Sequence, residues 1–288
     1  MNKNITAMVY TYNEEHRLPY VYENLKNFCD VIVYDGGSTD GTLDYCKNNN
    51  IKYVMRPKLD DGGFLGVNTY AWALKHAPTE YILHVICSHF YPKELLKRFA
   101  EVANENMLDA VYHDVIMYRY GVVVHRPLVR RISSACVFYK KSIVTFENSK
   151  IHDELAIQFD ANKMVRLDAK DKLSLHLFQD DDCHIFTAKN LKYAAVEAGQ
   201  YFNAGQSVGF YGIIFKPLFR FLYRYFRSGA FVLGVPGLIH SVSNLMYDFN
   251  VRIILWELCN DLDLKGVIRD NDLVRSKLIK NENDLKAK

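Results

Sequence analysis

Two polar segments of the chain hold residue types that can bind a nucleotide, and each follows a short apolar run. The first is Thr11-Tyr12-Asn13-Glu14-Glu15, and the second is Asp35-Gly36-Gly37-Ser38-Thr39-Asp40-Gly41-Thr42. The glycines permit close approach of the backbone to a ligand, and Ser38, Thr39 and Asp40 can cap a following helix whose amides face an anion. Together the two segments predict one nucleotide site.

Apolar runs place both segments at strand ends. Residues 5–10 and 31–34 are apolar runs of strand length, and residues 17–28 between them are long enough for a helix. This order predicts a βαβ unit. In an open α/β sheet the ligand crevice lies at the carboxyl ends of the parallel strands, where both polar segments would lie.

The alternation of strand and helix patterns continues to residue 106 and predicts an α/β fold with a mostly parallel sheet. After residue 110 the segments 111–120 and 122–132 have strand patterns joined around Gly121, which predicts an antiparallel hairpin. The remaining predicted strands are 51–55, 81–86 and 173–177, and the remaining predicted helices are 43–49, 66–76, 93–106 and 182–203.

The two polar segments also resemble the start of a family 2 glycosyltransferase of the GT-A fold, whose pattern is roughly TYNEE followed by D(G/S)GSTDGT. The donor-binding residues that this resemblance implies are Thr11, Tyr12, Asn13, Glu14, Asp35, Gly37, Asp40 and Asn68. The first four would border the nucleotide base, Asp35 would bind the base or the ribose, and Asp40 would shape the loop. A plain residue at a helix N-terminus is the alternative for Asn68.

Nearly the whole chain resembles one subgroup of that family, the bacterial lipopolysaccharide core β-1,4-glucosyltransferases. The matching segments are Pro127-Leu128-Val129-Arg130-Arg131, His152-Asp153-Glu154, Leu175-His176, and Lys189 with Tyr193-Ala194. The resemblance implies transfer of a sugar from a nucleotide-sugar donor to a lipid-linked saccharide in bacterial surface polysaccharide or lipopolysaccharide synthesis. A UDP-sugar is the first candidate for the donor. The resemblance also implies inversion at the anomeric carbon.

The family's metal-binding Asp-x-Asp pair is replaced in this chain by Ile86 and Ser88. Isoleucine cannot coordinate a metal, and serine is a poor ligand without a neighbouring carboxylate. In a first interpretation the donor binds without metal, and its diphosphate contacts basic residues among Arg56, Lys58, Arg126, Arg130 and Arg131. In a second, His89 with Asp60 or Asp61 recruits a divalent cation such as Mg²⁺ or Mn²⁺. In a third, catalysis has been lost and the domain is a binding or scaffold subunit.

Glycosyl transfer also needs a base that deprotonates the acceptor hydroxyl. The resemblance places a carboxylate after His152, so Asp153 and Glu154 are the candidate catalytic residues, with a solvated loop charge as the alternative for each. His84 fits a core histidine, whereas His89 lies past the fourth strand and is a candidate for ligand contact. A nucleotidyltransferase has a related fold, but its Gly-rich Arg-Lys loop does not follow the first strand here.

Composition narrows the class of protein. The 288 residues are 49% hydrophobic, enough for a full α/β core, and a net charge of +3 with scattered aromatic residues does not favour nucleic-acid binding. The six cysteines are widely spaced and predict reduced, buried thiols in a cytosolic protein. No cleaved targeting segment is expected, and no apolar run is expected to reach the roughly 20 residues needed to span a bilayer.

The C-terminal quarter has a different texture from the rest. Residues 209–257 are rich in aromatic, aliphatic and basic side chains, and four basic residues would share one face of a helix starting near Pro217: Lys216, Arg220, Arg224 and Arg227. This predicts a segment that lies on a membrane surface. The alternative is a helical hairpin packed on the catalytic domain or on a second subunit.

These patterns predict a GT-A domain at residues 1–203 and a helical, membrane-associating region at 204–288. The predicted location is cytoplasmic, peripheral on the inner face of the plasma (inner) membrane.

Overall fold

The computed structural model describes residues 4–58, 66–125, 134–145, 156–157, 160–168, 170–179, 182–227, 229–262 and 264–286. The strands within these residues are β1 Ile5–Thr11, β2 Asp30–Asp35, β3 Lys52–Met55, β4 Tyr81–Ile86, β5 His89–Phe90, β6 Ala110–Arg119, β7 Val122–His125, β8 Ser134–Lys140, β9 Val144–Thr145, β10 Ala156–Ile157, β11 Met164–Arg166 and β12 Leu175–Gln179. The α-helices are α1 Leu18–Leu25, α2 Thr42–Asn48, α3 Val67–His76, α4 Lys93–Glu105, α5 Cys183–Asn203, α6 Phe210–Leu222, α7 Gly234–Cys259 and α8 Leu264–Lys286.

The chain forms two compact units, which are described separately. The first contains Met1–Asp182 and Tyr223–Ser241, and the second contains Cys183–Leu222 and Val242–Lys288. The predicted division at residue 203 stays a prediction about separable domains.

A mixed sheet organises the first unit, with strand order β3-β2-β1-β4-β8-β6-β12-β5. Strand β1 pairs in parallel with β2 and with β4, so that Thr11 lies beside Asp35 and Tyr10 lies beside Ile86. The carboxyl ends of these three strands therefore meet at one edge of the sheet. The predicted βαβ unit and the mostly parallel α/β sheet are confirmed.

Both faces of this sheet are covered, which explains why its strands are continuous apolar runs. Side chains along a strand alternate between faces, so Ala7 and Val9 enter one core cluster while Met8 and Tyr10 enter the other. The first cluster packs against α1 and α4, and the second packs against α3. Burial on two faces holds the strand ends in fixed positions.

Strands β6 and β7 form the predicted antiparallel hairpin around Gly121. Of the predicted strand 122–132, β7 covers Val122–His125, and residues 126–132 lie outside the described residues. A register irregularity also interrupts the hairpin between Met117 and Tyr118. The predicted strand 173–177 is shifted to β12, which runs parallel to β6.

Strand β6 projects past the edge where β4 ends. Leu83 of β4 and Val111 of β6 are both paired with Phe138 of β8, which runs antiparallel to each of them, so β4 and β6 point the same way. Ile86 is then roughly level with Asp114, and the last residue of β6, Arg119, lies about five residues or ~16 Å further on. The last residues of β6 therefore extend beyond the carboxyl end of β4.

The second unit is helical. Its apolar core contains Ala194 and Ala198 of α5 with Val251 and Leu255 of α7. The buried carboxylate of Glu197 accepts hydrogen bonds from two tyrosine hydroxyls, those of Tyr201 and Tyr247. Because every buried carboxylate must be paired, this network fixes how α5 packs on α7.

The basic stripe predicted on one helix is wrong in its details. Helix α6 begins at Phe210 rather than near Pro217, which lies inside it, and a π-helical turn at Tyr223–Arg227 follows. Arg220 forms an ion pair of 2.7 Å with the buried carboxylate of Asp248. This arginine therefore holds two helices together and is not a free surface charge.

One stretch of the chain, Ala230–Cys259, is long and apolar enough to cross a membrane by length and composition, and an 18-residue window within it has a mean hydropathy of 1.3. The expectation that no run reaches spanning length is wrong by this measure. That expectation treats residues 229–239 as a short and interrupted apolar segment. In the structure, a 3₁₀ turn at Ala230–Leu233 leads directly into α7. Pro236 lies in the first turn of α7, where a missing amide hydrogen does no harm.

The six cysteines differ in exposure. Cys29, Cys46 and Cys87 are buried, Cys136 is half-buried, and Cys183 and Cys259 of the second unit are exposed. Burial raises the pKa of the Cys46 thiol to about 11, so this thiol stays protonated at neutral pH. The prediction of uniformly buried thiols is wrong for the exposed pair.

Candidate functional site

The two polar segments are joined to each other by reciprocal hydrogen bonds. The amide of Asn13 donates to Oγ of Ser38 at 2.8 Å, and the amide of Thr39 donates to Oδ1 of Asn13 at 2.8 Å. The amide of Glu14 donates to Oγ1 of Thr42 at 2.8 Å. The two strand ends are therefore adjacent, and their use as one nucleotide site stays a prediction.

Asp35 is the anchor of this site. Its carboxylate is fully buried and accepts from the hydroxyl of Thr11 at 2.8 Å and from the hydroxyl of Ser38 at 2.6 Å. The amides of Gly37 and Ser38 donate to its other oxygen at 2.8 and 2.7 Å. Four donors nearly exhaust the acceptor capacity of a carboxylate. Asp35 thus holds the loop here, and its contact with base or ribose stays a prediction.

Asp40 shapes the start of α2. Its carboxylate accepts from the amide of Glu15 at 3.1 Å and from the amide of Thr42 at 3.0 Å, and the Thr42 hydroxyl donates to it as well. Partial burial opposes ionisation, but these hydrogen bonds lower the pKa of Asp40. The helix cap itself is Gly41 rather than Ser38, Thr39 or Asp40.

Two positions in the second polar segment require glycine, one because of its backbone conformation and the other because a side chain lies against it. Gly37 has φ +93°, a left-handed conformation that side chains rarely adopt. A Cβ built on Gly36 would lie 2.2 Å from Nη2 of Arg56, because that guanidinium lies against the loop and donates to the carbonyl of Thr11 at 3.2 Å. Arg56, one of the basic residues proposed to contact the diphosphate of the donor, therefore lies at the paired ends of β1 and β2.

The surface of the site is formed by Tyr12 and Asn13, which are both exposed. Asn13 has φ 56°, a conformation that asparagine tolerates better than most residues. Glu14 lies below them and forms a two-bond ion pair with Arg17, with distances of 2.7 and 2.8 Å. The polar groups around the two strand ends are therefore largely paired within the protein, while one aromatic ring faces solvent.

The end of β4 carries no ligand set for a metal. Ile86 offers no donor atom, and the next polar side chain is that of Ser88. Over the part of the chain that the structure describes, no group of three or more His, Cys, Asp or Glu side chains is arranged to hold a metal ion. The described residues at this position do not fit a divalent cation.

His84 and His89 have different surroundings. His84 is buried between the rings of Tyr10 and Tyr70, and burial lowers its pKa to about 4. Nδ1 of His89 lies 2.9 Å from the hydroxyl of Tyr91, which also donates to the carbonyl of His84 at 3.1 Å. Burial, followed by the charges of neighbouring histidines, lowers the pKa of His89 as well. His89 is held in place, and its contact with a ligand stays a prediction.

Among the other predicted site residues, the structure describes Asn68 but not the candidate catalytic residues. Asn68 is exposed in the first turn of α3. Arg130, Asp153 and Glu154 lie outside the described residues, as do Asp60 and Asp61.

Sequence reasoning missed the cross-links of Ser38, Thr42 and Glu15, whose carboxylate accepts from the amide of Gly41 at 3.0 Å. The signal was present, because a polar residue between glycines that does not cap its own helix must find another partner. It also missed a set of basic residues around the end of β6, which come from four distant parts of the sequence.

A family model described as "Glycosyl transferase family 2" matches residues 6–173. An uncharacterized glycosyltransferase of Rickettsia bellii is 25% identical to this chain over 94% of it and 95% of the relative. The lipopolysaccharide core biosynthesis glycosyltransferase LpsC of Rhizobium meliloti is 24% identical over 85% of this chain and 89% of its own. A crystal structure of S. aureus TarS 1-349 in complex with UDP-GlcNAc is similar with a TM-score of 0.47 and 16% identity, covering 91% of this chain and 93% of that one.

Proposed function

Because this chain belongs to glycosyl transferase family 2 and is a glycosyltransferase, we propose that it transfers a sugar from a UDP-sugar to a lipid-linked saccharide with inversion. The observation that carries the proposal is the interlocked pair of strand-end segments at the carboxyl edge of β1 and β2. Ligands of open α/β sheets bind at this edge.

The donor would lie over Tyr12 and the loop that Asp35 anchors. The exposed ring of Tyr12 can stack on a base, and the left-handed conformation of Gly37 leaves the loop backbone open to the ribose and phosphates. Asn13 and Glu14, which the other segment holds in place, would border the base. Asn68 and His89 are proposed at the rim of the same pocket.

The diphosphate would be neutralised without metal. A leaving diphosphate gains charge as the glycosidic bond breaks, and a fixed cation stabilises that charge. Arg56 supports this role, because its guanidinium is already oriented by the Thr11 carbonyl at 3.2 Å. Arg130 is proposed as a second cation. A planar guanidinium binds phosphate oxygens in pairs, which makes it a suitable replacement for a divalent ion.

Either Asp153 or Glu154 would take the proton of the acceptor hydroxyl. The acceptor would be lipid-linked, because the relative from Rhizobium meliloti is a glycosyltransferase of lipopolysaccharide core biosynthesis. Exposed aromatic side chains on α6, among them Phe210, Tyr211 and Phe219, support attachment to a membrane surface. The protein is proposed to act as a peripheral protein at the inner face of the bacterial inner membrane.

Calorimetry with UDP and UDP-glucose, with and without Mn²⁺, tests the donor site. We expect binding without metal, weakened about 10-fold or more in Arg56→Gln, because a charge-assisted hydrogen bond to phosphate is lost. Lys52→Gln, an exposed basic residue of β3, is the matched control and should bind as the natural protein does. No binding in either condition would rule out the proposal.

Transfer to lipid extracts tests the base, with Asp153→Asn and Glu154→Gln measured separately. One of the two should lose activity by about 100-fold or more, the usual range for a catalytic base. Full turnover in both variants would show that the base is elsewhere.

Extraction of membranes with alkaline carbonate tests attachment. A peripheral protein is released, whereas a protein that spans through Ala230–Cys259 stays in the pellet. Retention in the pellet would replace the peripheral arrangement with a spanning one.

A further inference from the structure

Four basic residues of the first unit gather near the end of β6, and we call them the cationic cluster: Arg119, His125, Arg224 and His240. Arg119 ends β6, His125 ends β7, Arg224 lies in the π-helical turn, and His240 lies in the first part of α7. The rings of His125 and His240 have centroids 6.1 Å apart. Four separate chain segments thus bring basic groups to one place.

The hairpin irregularity is what brings His125 to this place. Arg119 pairs with Val122 and Tyr118 pairs with Val123, but the next pair is Met117 with His125. Val124 is the extra residue, and a bulge of this kind changes which side chains share a face. His125 therefore joins the face of Met117 and Arg119, while Val124 is buried on the other side.

The cluster contains buried polar atoms that the described residues leave unsatisfied. Nε2 of His125 is buried without a hydrogen-bond partner in the described structure, and so is Oε1 of Gln179, which pairs in register with Arg119. Arg119 itself is 1% exposed, and its Nη2 donates to the carbonyl of Asp182 at 3.3 Å. Buried polar groups without partners are rare in folded proteins and indicate a missing water, ion or ligand.

Burial and nearby arginines together lower the pKa values of both histidines of the cluster. Burial, followed by the charges of His125, Arg119 and Arg224, lowers the pKa of His240 to about 4. Burial, followed by the charge of Arg224, also lowers the pKa of His125. Two guanidinium groups therefore act on these buried imidazoles, and an anion is the ligand whose charge suits such a place.

We propose that the cationic cluster binds a lipid-borne phosphate group. Two guanidinium groups can grip phosphate oxygens in pairs, and the imidazole and amide groups of His125, His240 and Gln179 can donate to the remaining ones. Arg119 lies deep, whereas Arg224, His125 and His240 are each partly exposed, so the group can enter from solvent or from a membrane surface.

The position of the cluster fits an acceptor. Strand β6 runs in the same direction as β4, so Arg119 lies on the carboxyl side of the sheet, about 16 Å past the end of β4. A saccharide could extend between a phosphate held there and a hydroxyl at the donor edge. This inference rests on the proposed transferase function. Its two sources of phosphate are the acceptor lipid itself and the headgroups of the surrounding bilayer.

Thermal unfolding of the full chain in sodium phosphate, against sodium chloride at equal ionic strength, tests the chemistry. Without nucleotide, phosphate should raise Tm by about 3 °C in a saturable way, since a ligand that binds only the folded state stabilises it. Arg224→Gln and His125→Phe should each lose the shift. Arg227→Gln, an exposed arginine of the same π-helical turn, should keep it.

A donor-site control removes the competing explanation. Phosphate could act at the donor site, so Arg56→Gln is measured in parallel and should keep the shift. Circular dichroism and UDP binding of Arg224→Gln and His125→Phe show whether those variants are folded.

Flotation distinguishes the sources of phosphate. Vesicles of phosphatidylcholine with one part in about five of phosphatidylglycerol should bind the natural protein and Arg224→Gln equally if the cluster takes the acceptor phosphate. Flotation that falls in both Arg224→Gln and His125→Phe, but not in Arg227→Gln, assigns the cluster to bilayer headgroups.

The proposal is overturned if phosphate gives no saturable shift and flotation is unchanged in both cluster variants, or if both variants keep the shift. If the protein binds UDP but the cluster variants change neither the phosphate shift nor flotation, the phosphate proposal fails and the transferase proposal stands. If the phosphate shift depends on the cluster but the protein does not bind UDP, the phosphate proposal stands and the transferase proposal fails.

Discussion

The paired strand-end segments and the cationic cluster both lie on the carboxyl side of one sheet, yet they satisfy their polar groups in opposite ways. Around Asp35 the polar atoms are cross-linked within the protein, with four donors on one carboxylate. In the cluster, basic groups adjoin one another and the Nε2 atom of His125 is buried without a hydrogen bond. The first region is organised by its own cross-links, whereas the second holds a buried nitrogen that has no hydrogen-bond partner among the described residues.

This difference matters for how each region can be recognised. Preorganised donors and acceptors cost little to hold when a ligand binds, so the loop that Asp35 anchors would be ready to act on charge that develops during the proposed reaction. In the cluster, burial lowers the pKa of both imidazoles, so its positive charge near neutral pH comes from Arg119 and Arg224.

Acid should have the largest effect on stability, and it should act through two buried histidines, His84 and His113, that belong to neither region. His84 and His113 have pKa values lowered by burial to about 4, below about 6.5 in the unfolded chain, so the folded state binds fewer protons between these values. Stability is therefore full above pH 6.5 and falls as pH drops toward 4, by at most about 3 kcal/mol for each of the two. Asp40, whose pKa is lowered, keeps its charge over this range.

Urea unfolding measured from pH 7 to pH 4 checks this. His84→Phe should make the dependence on pH shallower, because one of the protons taken up on unfolding is removed. A profile with the same slope in that variant would contradict the assignment of acid sensitivity to the buried histidines.

Asp35→Ala should break the donor loop. Removing the buried carboxylate leaves Thr11, Ser38 and the amide of Gly37 without their acceptor, and we expect a loss of about 3 kcal/mol in the free energy of unfolding. UDP binding should be lost with it. Asp44→Ala, an exposed carboxylate on α2, is the control and should change stability by less than about 0.5 kcal/mol. Equal effects of the two substitutions would show that Asp35 does not anchor the loop.

Alanine substitutions at Gly37 and Gly121 should lower the stability of the protein equally but affect different ligands. Gly37 and Gly121 have φ of +93° and +72°, and neither has an atom within 4 Å of a built Cβ. Alanine at either position should cost about 1 kcal/mol through backbone strain alone. Only Gly37→Ala should weaken UDP binding, and only Gly121→Ala should reduce the phosphate shift. Calorimetry and thermal unfolding of both variants measure this, and an exchange of the two effects would contradict it.

The smallest effect expected has the opposite sign. His125→Phe should stabilise the protein by about 0.5–1 kcal/mol in phosphate-free buffer, since an unsatisfied buried nitrogen is replaced by an apolar ring. The same change should abolish the stabilisation by phosphate. Urea unfolding with and without phosphate measures both, and a destabilised variant in phosphate-free buffer would show that His125 is already satisfied.

The sequence predicted the strands around the donor loop well, because their signal is local. Residues 5–10 and 31–34 are apolar runs buried on both faces, and the polar residues that follow must lie at the strand ends. It misplaced the start of α6, because Pro217 has the features of a first helical turn but is tolerated inside a helix. The cationic cluster could not be predicted, because it depends on a one-residue bulge and on contacts between segments over a hundred residues apart.

The division of the cysteines makes the natural chain suitable for labelling. Cys29, Cys46 and Cys87 are buried, while Cys183 and Cys259 face solvent in the helical unit. Cys136 is half-buried, and burial raises the pKa of its thiol to about 12, so it reacts slowly at neutral pH. A thiol-reactive dye should therefore attach first to Cys183 and Cys259 without any substitution elsewhere. Their emission then reports whether either position leaves water when vesicles are added, so the fold supplies its own probes of depth in a membrane.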